Sequence, residues 1–445
     1  MSSIKISARL LTLSFVMAAS LGWTDVAPAS DAGGRQCGGE SCAAVFRGFL
    51  AFFDRDLHEH PGNGRSCADC HMAADQFQLS PASAEQRFQR LQWRLERNPR
   101  ADDPLFRAVD ADDFRIKGPN ARDFSNLREN GLIRVIFKLP PNIRLIDPAT
   151  NAVSNETMAD VWRMVPSINN VALTGPDGGN QWPRDPNRSG GYQLDARFST
   201  LQEQASGALH AHAEIDRVPA QQLLDDLASF QRLLFSSERV RALADAIRTG
   251  VQSLPDADPR LNLLEQQGKA VFTRACAQCH GGAGQSTTQA PVVRYHDISS
   301  QCPRPVDAVT PARFTFQPCP ARLARNARTY EITLADGSAI RRSSSDPGRA
   351  LLTGFAVPGP PAADDWNKFD TPGLRGIRNT APYFHNNSAD TLEAVVDHYI
   401  EFFRRVRVVA PPGVVLPVLS TDGVNFDRAL QPEERAALLA YLRKL

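Results

Sequence analysis

The stretch Cys276-Ala277-Gln278-Cys279-His280 constrains this chain more than any other. Two cysteines three apart, with a histidine directly after the second, form the attachment signature of c-type haem. The spacing has a chemical reason. Each thiol adds to one haem vinyl group, a single helical turn places both sulfurs, and the next residue offers its imidazole to the iron as proximal ligand. The same signature occurs at Cys67-Ala68-Asp69-Cys70-His71. A zinc or redox dithiol pair is the competing reading, and two copies behind a secretion signal count against it. Ahead of the second motif, Leu261 to Ala275 predicts a helix, with Leu263, Leu264, Ala270, Val271 and Phe272 at helical spacing. Ahead of the first lies the apolar run Ala44 to Leu50.

Met1 to Ala29 has the pattern of a secretory signal. Lys5 and Arg9 give the positive start, Leu10 to Trp23 is uncharged, and Ala27-Pro28-Ala29 is a small-x-small cleavage site. A second cut after Ala18-Ala19-Ser20 is an alternative. The apolar run is too short to span a bilayer, so the expectation is a periplasmic protein with no membrane span. A net charge of +1 gives no pointer to nucleic acid. Four of the 8 cysteines belong to the motifs. In an oxidising compartment the others pair locally as Cys37–Cys42 and Cys302–Cys319, with a second metal site as the alternative.

The 445 residues allow two to three domains. The fold class expected is mostly α: two cytochrome c-like haem domains, with a partly β insertion in the first. Residues 30–252 form the N-terminal domain, with an insertion at about 72–165, and 259–445 form the C-terminal one. Within the insertion, Gln86 to Arg97 predicts a helix. Leu132 to Leu139 and Ile143 to Ile146, around a Pro-Pro-Asn turn, suggest a hairpin. The insertion covers haem, builds a partner surface, or is structural elaboration. Gln221 to Phe235 and Gln431 to Leu445 predict amphipathic helices, the latter packing on the helix before the second motif. Gly281-Gly282-Ala283-Gly284 lacks the strand–helix context of a phosphate loop.

Both motifs, with Asp346-Pro347-Gly348-Arg349 and the run Asp370-Thr371-Pro372-Gly373-Leu374-Arg375-Gly376-Ile377-Arg378-Asn379-Thr380-Ala381-Pro382-Tyr383-Phe384-His385, resemble the bacterial dihaem cytochrome c peroxidase superfamily, which includes MauG. Val165 to Val171 and Leu201 to Ala205 also fit. The resemblance implies a peroxide site at the N-terminal haem, held by Cys67, Cys70 and His71. It implies a six-coordinate electron reservoir at the C-terminal haem, held by Cys276, Cys279 and His280. The sixth iron ligand falls fourteen residues past His385, at Tyr399. The peroxidases have methionine there and MauG has tyrosine. The chain's methionines are Met1, Met17, Met72, Met158 and Met164, so none lies in the second domain. Tyr399, His398, His385 and His296 are the candidates, with Tyr399 preferred.

In the peroxide pocket the resemblance implies Gln204 and, ten residues on, Glu214 as proton-transfer group. His210 and His212 are additions that ligate the first haem, assist proton transfer, or sit at the surface. The family's inter-haem tryptophan falls at Leu194, with Tyr192 and Trp182 nearby. An interdomain calcium ion is implied at Asn170 and the carbonyls of Thr380 and Pro382. The function expected is an oxidoreductase using hydrogen peroxide, with MauG-like oxidation of a protein or organic substrate. A peroxidase drawing electrons from a small redox protein is the second reading, and a dihaem electron carrier without catalysis the third. The assembly state is left open, a homodimer among the options.

Overall fold

The computed structural model describes residues 35–57, 62–110, 123–175, 191–286, 294–304, 318–356, 364–409 and 430–445. The expected signal segment and Trp182 lie outside them. In chain order the main elements are α1 (Cys42–Phe53), α2 (Pro81–Leu95), α3 (Ser125–Asn130), β1 (Leu132–Lys138), β2 (Ile143–Leu145), β3 (Met158–Met164), α4 (Leu201–Ala213), α5 (Gln221–Arg232), α6 (Glu238–Arg248), α7 (Leu263–Ala275), β4 (Arg328–Thr333), β5 (Ala339–Ser344), α8 (Leu392–Val409) and α9 (Arg435–Leu442). The chain is mostly α with small sheets, as its sequence predicts.

Two helical cores recur with the same logic. The helix before each motif buries one stripe: Val45, Gly48 and Phe52 on α1, and Gly268, Val271, Phe272 and Ala275 on α7. Helix α7 starts where Asn262 and Glu265 cap each other. Asn262 Oδ1 accepts from Glu265 N at 3.0 Å and Glu265 Oε2 accepts from Asn262 N at 2.8 Å. Helices α1, α4 and α5 enclose Phe52, Leu209, Leu227 and Phe230. Helices α7, α8 and α9 enclose Phe272, Val396, Leu439 and Tyr441.

A glycine marks each crossing. A Cβ at Gly48 would sit 1.9 Å from the Asp226 carbonyl oxygen on α5, and one at Gly268 would sit 1.9 Å from the Ala437 carbonyl oxygen on α9. In each core the helix ahead of the motif therefore touches its partner backbone to backbone.

The β segment departs from the hairpin that the sequence suggests. Strand β1 pairs antiparallel not with β2 but with β3, Leu132 opposite Met164. Strand β2 pairs with β4, nearly two hundred residues on, Ile143 opposite Ile332, and β4 continues to β5. Pro140 and Pro141 lie between β1 and β2 and have no N–H to give a ladder at the turn. Apolar burial then decides the partner. Ile143 and Leu145 join Tyr330, Ile332 and Trp366 in one cluster.

Helix ends also shift. Helix α2 begins earlier than expected, at Pro81, because Ser80 Oγ accepts from Ser83 N at 3.2 Å. Helix α5 stops at Arg232. The last helix opens with a 3₁₀ turn at Pro432–Glu434. Both local disulfides form, Cys37–Cys42 and Cys302–Cys319. No helix among the described residues is long and apolar enough to cross a membrane.

The helix crossing gives a direct test. Gly268→Ala is expected to lower stability by about 1–3 kcal/mol, the usual scale of overpacking, in a denaturant titration. An unchanged midpoint would show that α7 and α9 do not meet at this glycine.

Candidate functional site

Each attachment motif opens into its own cavity. The first cavity, about 430 Å³, is bordered by Cys67, Cys70 and His71. The second, about 340 Å³, is bordered by Cys276, Cys279 and His280. Both volumes lie in the range of small-cofactor sites. All four motif cysteines carry free thiols. Burial pushes the thiols of Cys67, Cys70 and Cys276 up to about 12.

The motif histidines are oriented by their own backbones. His71 Nδ1 donates to Phe77 O at 2.9 Å. His280 Nδ1 faces Pro372 O at 3.1 Å and Gln285 O at 3.3 Å. Burial pulls the His280 imidazole down to about 4 and lowers that of His71 as well. Each ring is therefore neutral near pH 7, with Nδ1 engaged and Nε2 available to a metal. Paired free thiols beside such a ring are the donor set that a c-type haem needs, and the residues fit that group at both sites.

The first motif is braced by one of its own intervening residues. Asp69 accepts from Ser66 N at 2.9 Å, from Arg55 Nε at 3.1 Å and from Arg87 Nη2 at 2.9 Å. Burial would raise the Asp69 carboxyl, but Arg55, Ser66 and Arg87 together hold it below its usual range.

Helix α4 forms one wall of the first cavity. Leu201, Ala205, Leu209 and Ala213 face the core, while Gln204, Ala208, Ala211 and His212 reach the cavity. Gln204 thus borders the first cavity. Glu214 is not among the residues bordering it. Helix α4 ends at Ala213, and Glu214 is its C-cap, turned out by a left-handed backbone with φ 53°. Its carboxylate is exposed and accepts from Asn63 Nδ2 at 2.9 Å. His210 is exposed, with Nδ1 on Ser206 O at 2.7 Å.

At the second cavity, Tyr399, His385 and His296 all border the space, and His398 does not. His398 Nε2 donates to Ile298 O at 2.7 Å instead. Burial, with Cys279 and Cys276 beside it, raises the Tyr399 phenol well above its ordinary value. His385 stacks on Phe369 at 4.1 Å, and its buried Nε2 has no partner. Asn170, Thr380 and Pro382 border the same cavity. The Asn170 amide is already engaged: Oδ1 accepts from Ser236 N at 2.9 Å, and Nδ2 donates to Arg375 O at 2.9 Å.

Met164, Pro166 and Leu194 border both cavities and form a shared wall. Leu194, the position at which the family resemblance implies a tryptophan, borders both cavities. Tyr192 is buried in the first helical core and does not border either cavity. Met164 had no signal in the sequence beyond being a methionine in a strand.

Beside this wall lies a buried ion cluster that sequence reasoning missed. Arg163 binds Asp346 twice, Nε to Oδ2 at 2.6 Å and Nη2 to Oδ1 at 2.9 Å, and its Nη1 pairs with Asp195. Arg197 Nε adds to Asp195 Oδ1 at 2.9 Å. Asp346 opens the Asp-Pro-Gly-Arg segment, and Arg349 Nη1 of that segment donates to Asp195 O at 2.7 Å. Burial would raise the Asp195 carboxyl, yet Arg163 and Arg197 hold it below its ordinary value of 3.8.

No family model matches the chain. The cytochrome-c peroxidase IdrP2 of Denitromonas iodatirespirans is 35% identical over 97 residues, which is 22% of this chain and 22% of that protein. The methylamine utilization protein MauG of Methylorubrum extorquens is 26% identical over 236 residues, 53% of this chain and 47% of that protein. The matches thus span about half or less of each relative. Among solved structures, a MauG-like protein associated with microbial copper homeostasis superposes at TM-score 0.43 and 19% identity, over 91% of this chain and 88% of that one. The diheme peroxidase BthA of Burkholderia thailandensis superposes at 0.40 and 17%, over 91% and 86%. The two curated relatives and the paired motifs carry a likeness to dihaem peroxidase-like oxidoreductases. The chain's resemblance is to the superfamily of bacterial dihaem cytochrome c peroxidases and MauG.

The ion cluster predicts a large and pH-dependent effect. Arg163→Leu strips the buried Asp346 carboxylate of its guanidinium and leaves Asp195 with Arg197 alone, and is expected to cost about 3–5 kcal/mol in a denaturant titration at pH 7. Because the folded Asp195 carboxyl lies below 3.8, its contribution is complete above that pH and is lost as pH falls through the folded value. The gap between variant and wild type should therefore narrow on acidification below about pH 4.

Proposed function

We propose that this chain is a periplasmic dihaem oxidoreductase that uses hydrogen peroxide. The observation that carries the reading is the repetition of one donor set in two adjoining cavities, a pair of free thiols with a buried, oriented imidazole. Residues 30–252 and 259–445 would each form a cytochrome c-like unit around one haem. Cys67, Cys70 and His71 would hold the first, and Cys276, Cys279 and His280 the second. When bound, haem supplies redox-active iron and, where one axial position is open, a place for peroxide to react.

The protein's own residues divide the labour. The first cavity has Gln204 and other polar groups on its α4 wall and is the peroxide site. In the second, Tyr399 is the proposed axial donor, because it borders the cavity beside both motif cysteines whereas His398 is turned away. A tyrosinate is an anionic donor that favours oxidised iron, whereas methionine favours the reduced state. That tilts the reading toward storage of oxidising equivalents and MauG-like oxidation of a protein or organic substrate. Similarity to a protein named cytochrome-c peroxidase supports the second reading, peroxide reduction with electrons from a small redox protein. The shared wall of Met164, Pro166 and Leu194 is compatible with either reading. A calcium ion at Asn170 and the carbonyls of Thr380 and Pro382 is part of the proposal, supported by their place on one cavity edge; Asn170 Oδ1 already accepts from Ser236 N and would have to offer its second lone pair.

Two measurements test this. Fully matured protein is expected to hold two covalent haems per chain, and a haem-to-protein ratio near one would sink the reading. Tyr399→Phe is expected to abolish the low-spin signature of the second haem and to leave peroxide access to the first, whereas Tyr399→Met should raise the second haem's potential. An unchanged low-spin spectrum in Tyr399→Phe would hand the axial role to another group and favour the peroxidase reading.

A further inference from the structure

His212 sits on the cavity face of α4, two turns past Gln204. Its Nδ1 lies 2.8 Å from Asp110 Oδ1. Asp110 is 2% exposed, and its other oxygen pairs with the buried Arg65 guanidinium. Arg65 is fixed in turn, since its Nε donates to Pro104 O at 3.0 Å and its Nη1 to His212 O at 2.9 Å. A carboxylate can only accept, so Nδ1 carries the proton and Nε2 is left as an acceptor. Nε2 makes no hydrogen bond to protein among the described residues. An imidazole anchored on one side by a buried carboxylate, with its free nitrogen at a cavity, is built to take a proton.

We propose that His212 Nε2 is the group that accepts the proton of peroxide entering the first cavity, with Asp110 as its positioning residue. This rests on the reading of that cavity as the peroxide site. The step is a simple transfer: a weak acid HX gives its proton to Nε2, X is left as the anion, and the new imidazolium lies against the Asp110 carboxylate. The same proton is then available for return to the departing oxygen. Glu214, the group implied by the superfamily resemblance, is the rival; it is an exposed C-cap held by Asn63 and does not border the cavity.

The test is ligand association with the ferric dihaem protein, followed in the Soret band by rapid mixing. Hydrogen cyanide must lose a proton to bind, whereas nitric oxide need not. His212→Gln is expected to slow cyanide association roughly 100-fold, the usual scale for a lost acid–base group, and to leave nitric oxide association within a few-fold. Asp110→Asn should act in the same sense. If the loss of its ion pair with Arg65 prevents folding, His212→Gln carries the test alone. Equal slowing of both ligands would reduce His212 to a steric role and overturn the proposal. Faster cyanide association would overturn it too, showing the ring to be a haem ligand. A larger cyanide effect in Glu214→Gln than in His212→Gln would likewise overturn it in favour of Glu214. These outcomes concern the proposal alone. Failure of the wild type to bind either ligand at either haem would instead refute the open peroxide site itself, and the proposal with it.

Discussion

The Arg163 guanidinium is almost wholly removed from water, and it is clasped by carboxylates from two distant parts of the chain. Asp195 comes from the segment before α4, and Asp346 from beyond the second motif. A lone buried cation is too costly to persist in a folded protein, so Arg163 is held only where both partners arrive. This makes the cluster a condition on the whole fold. Strand β3, the segment carrying Leu194 and the Asp346 turn must come together for any one of them to be satisfied. Their meeting point lies beside Met164 and Leu194, the wall the two cavities share. The ion cluster therefore ties three separate segments together beside the wall that the two cavities share.

Neighbouring contacts reinforce the same junction. Met164 N donates to His385 O at 2.8 Å, Gln78 Nε2 to Ala381 O at 3.1 Å, and Asn387 Nδ2 to Asn130 O at 2.8 Å. Asn126 and Asn326 exchange amide hydrogen bonds at 3.1 and 2.9 Å. Most of these join a helix or strand of the first half to a loop of the second. Loops without a core of their own are ordered in this way by polar contacts that only a specific partner can complete.

Local signals in the sequence were enough for the motifs and for the helices expected near Gln86, Gln221, Leu261 and Gln431, with some ends shifted, but not for α3, α4, α6 or α8. Helix α7 has a cap, an apolar stripe and a motif at its end, and all three agree. The disulfides were also legible, because each joins cysteines close in sequence. Non-local features were not. Nothing in Ile143-Arg144-Leu145 announces that its partner is Tyr330 to Ile332, since alternation specifies a strand and leaves its neighbour open. Asp110 and His212 are 102 residues apart, and neither stands in a recognisable motif. The spacing that the family resemblance supplied led to Glu214, and no local signal showed that α4 ends at Ala213 and makes Glu214 its C-cap. Arg163 was one arginine among many, and its burial follows only from the meeting of three segments.

The pairing of β2 with β4 bears on how such a chain comes to exist. A strand near residue 143 emerges early in synthesis and waits for a partner that follows nearly two hundred residues later. Until then it is an unpaired apolar edge of the kind that recruits other chains. The first attachment motif, however, becomes available long before that partner does. The first half therefore leaves one apolar strand edge open until residues of the second half cover it. The register of a three-residue strand ties the completion of the first half to the second.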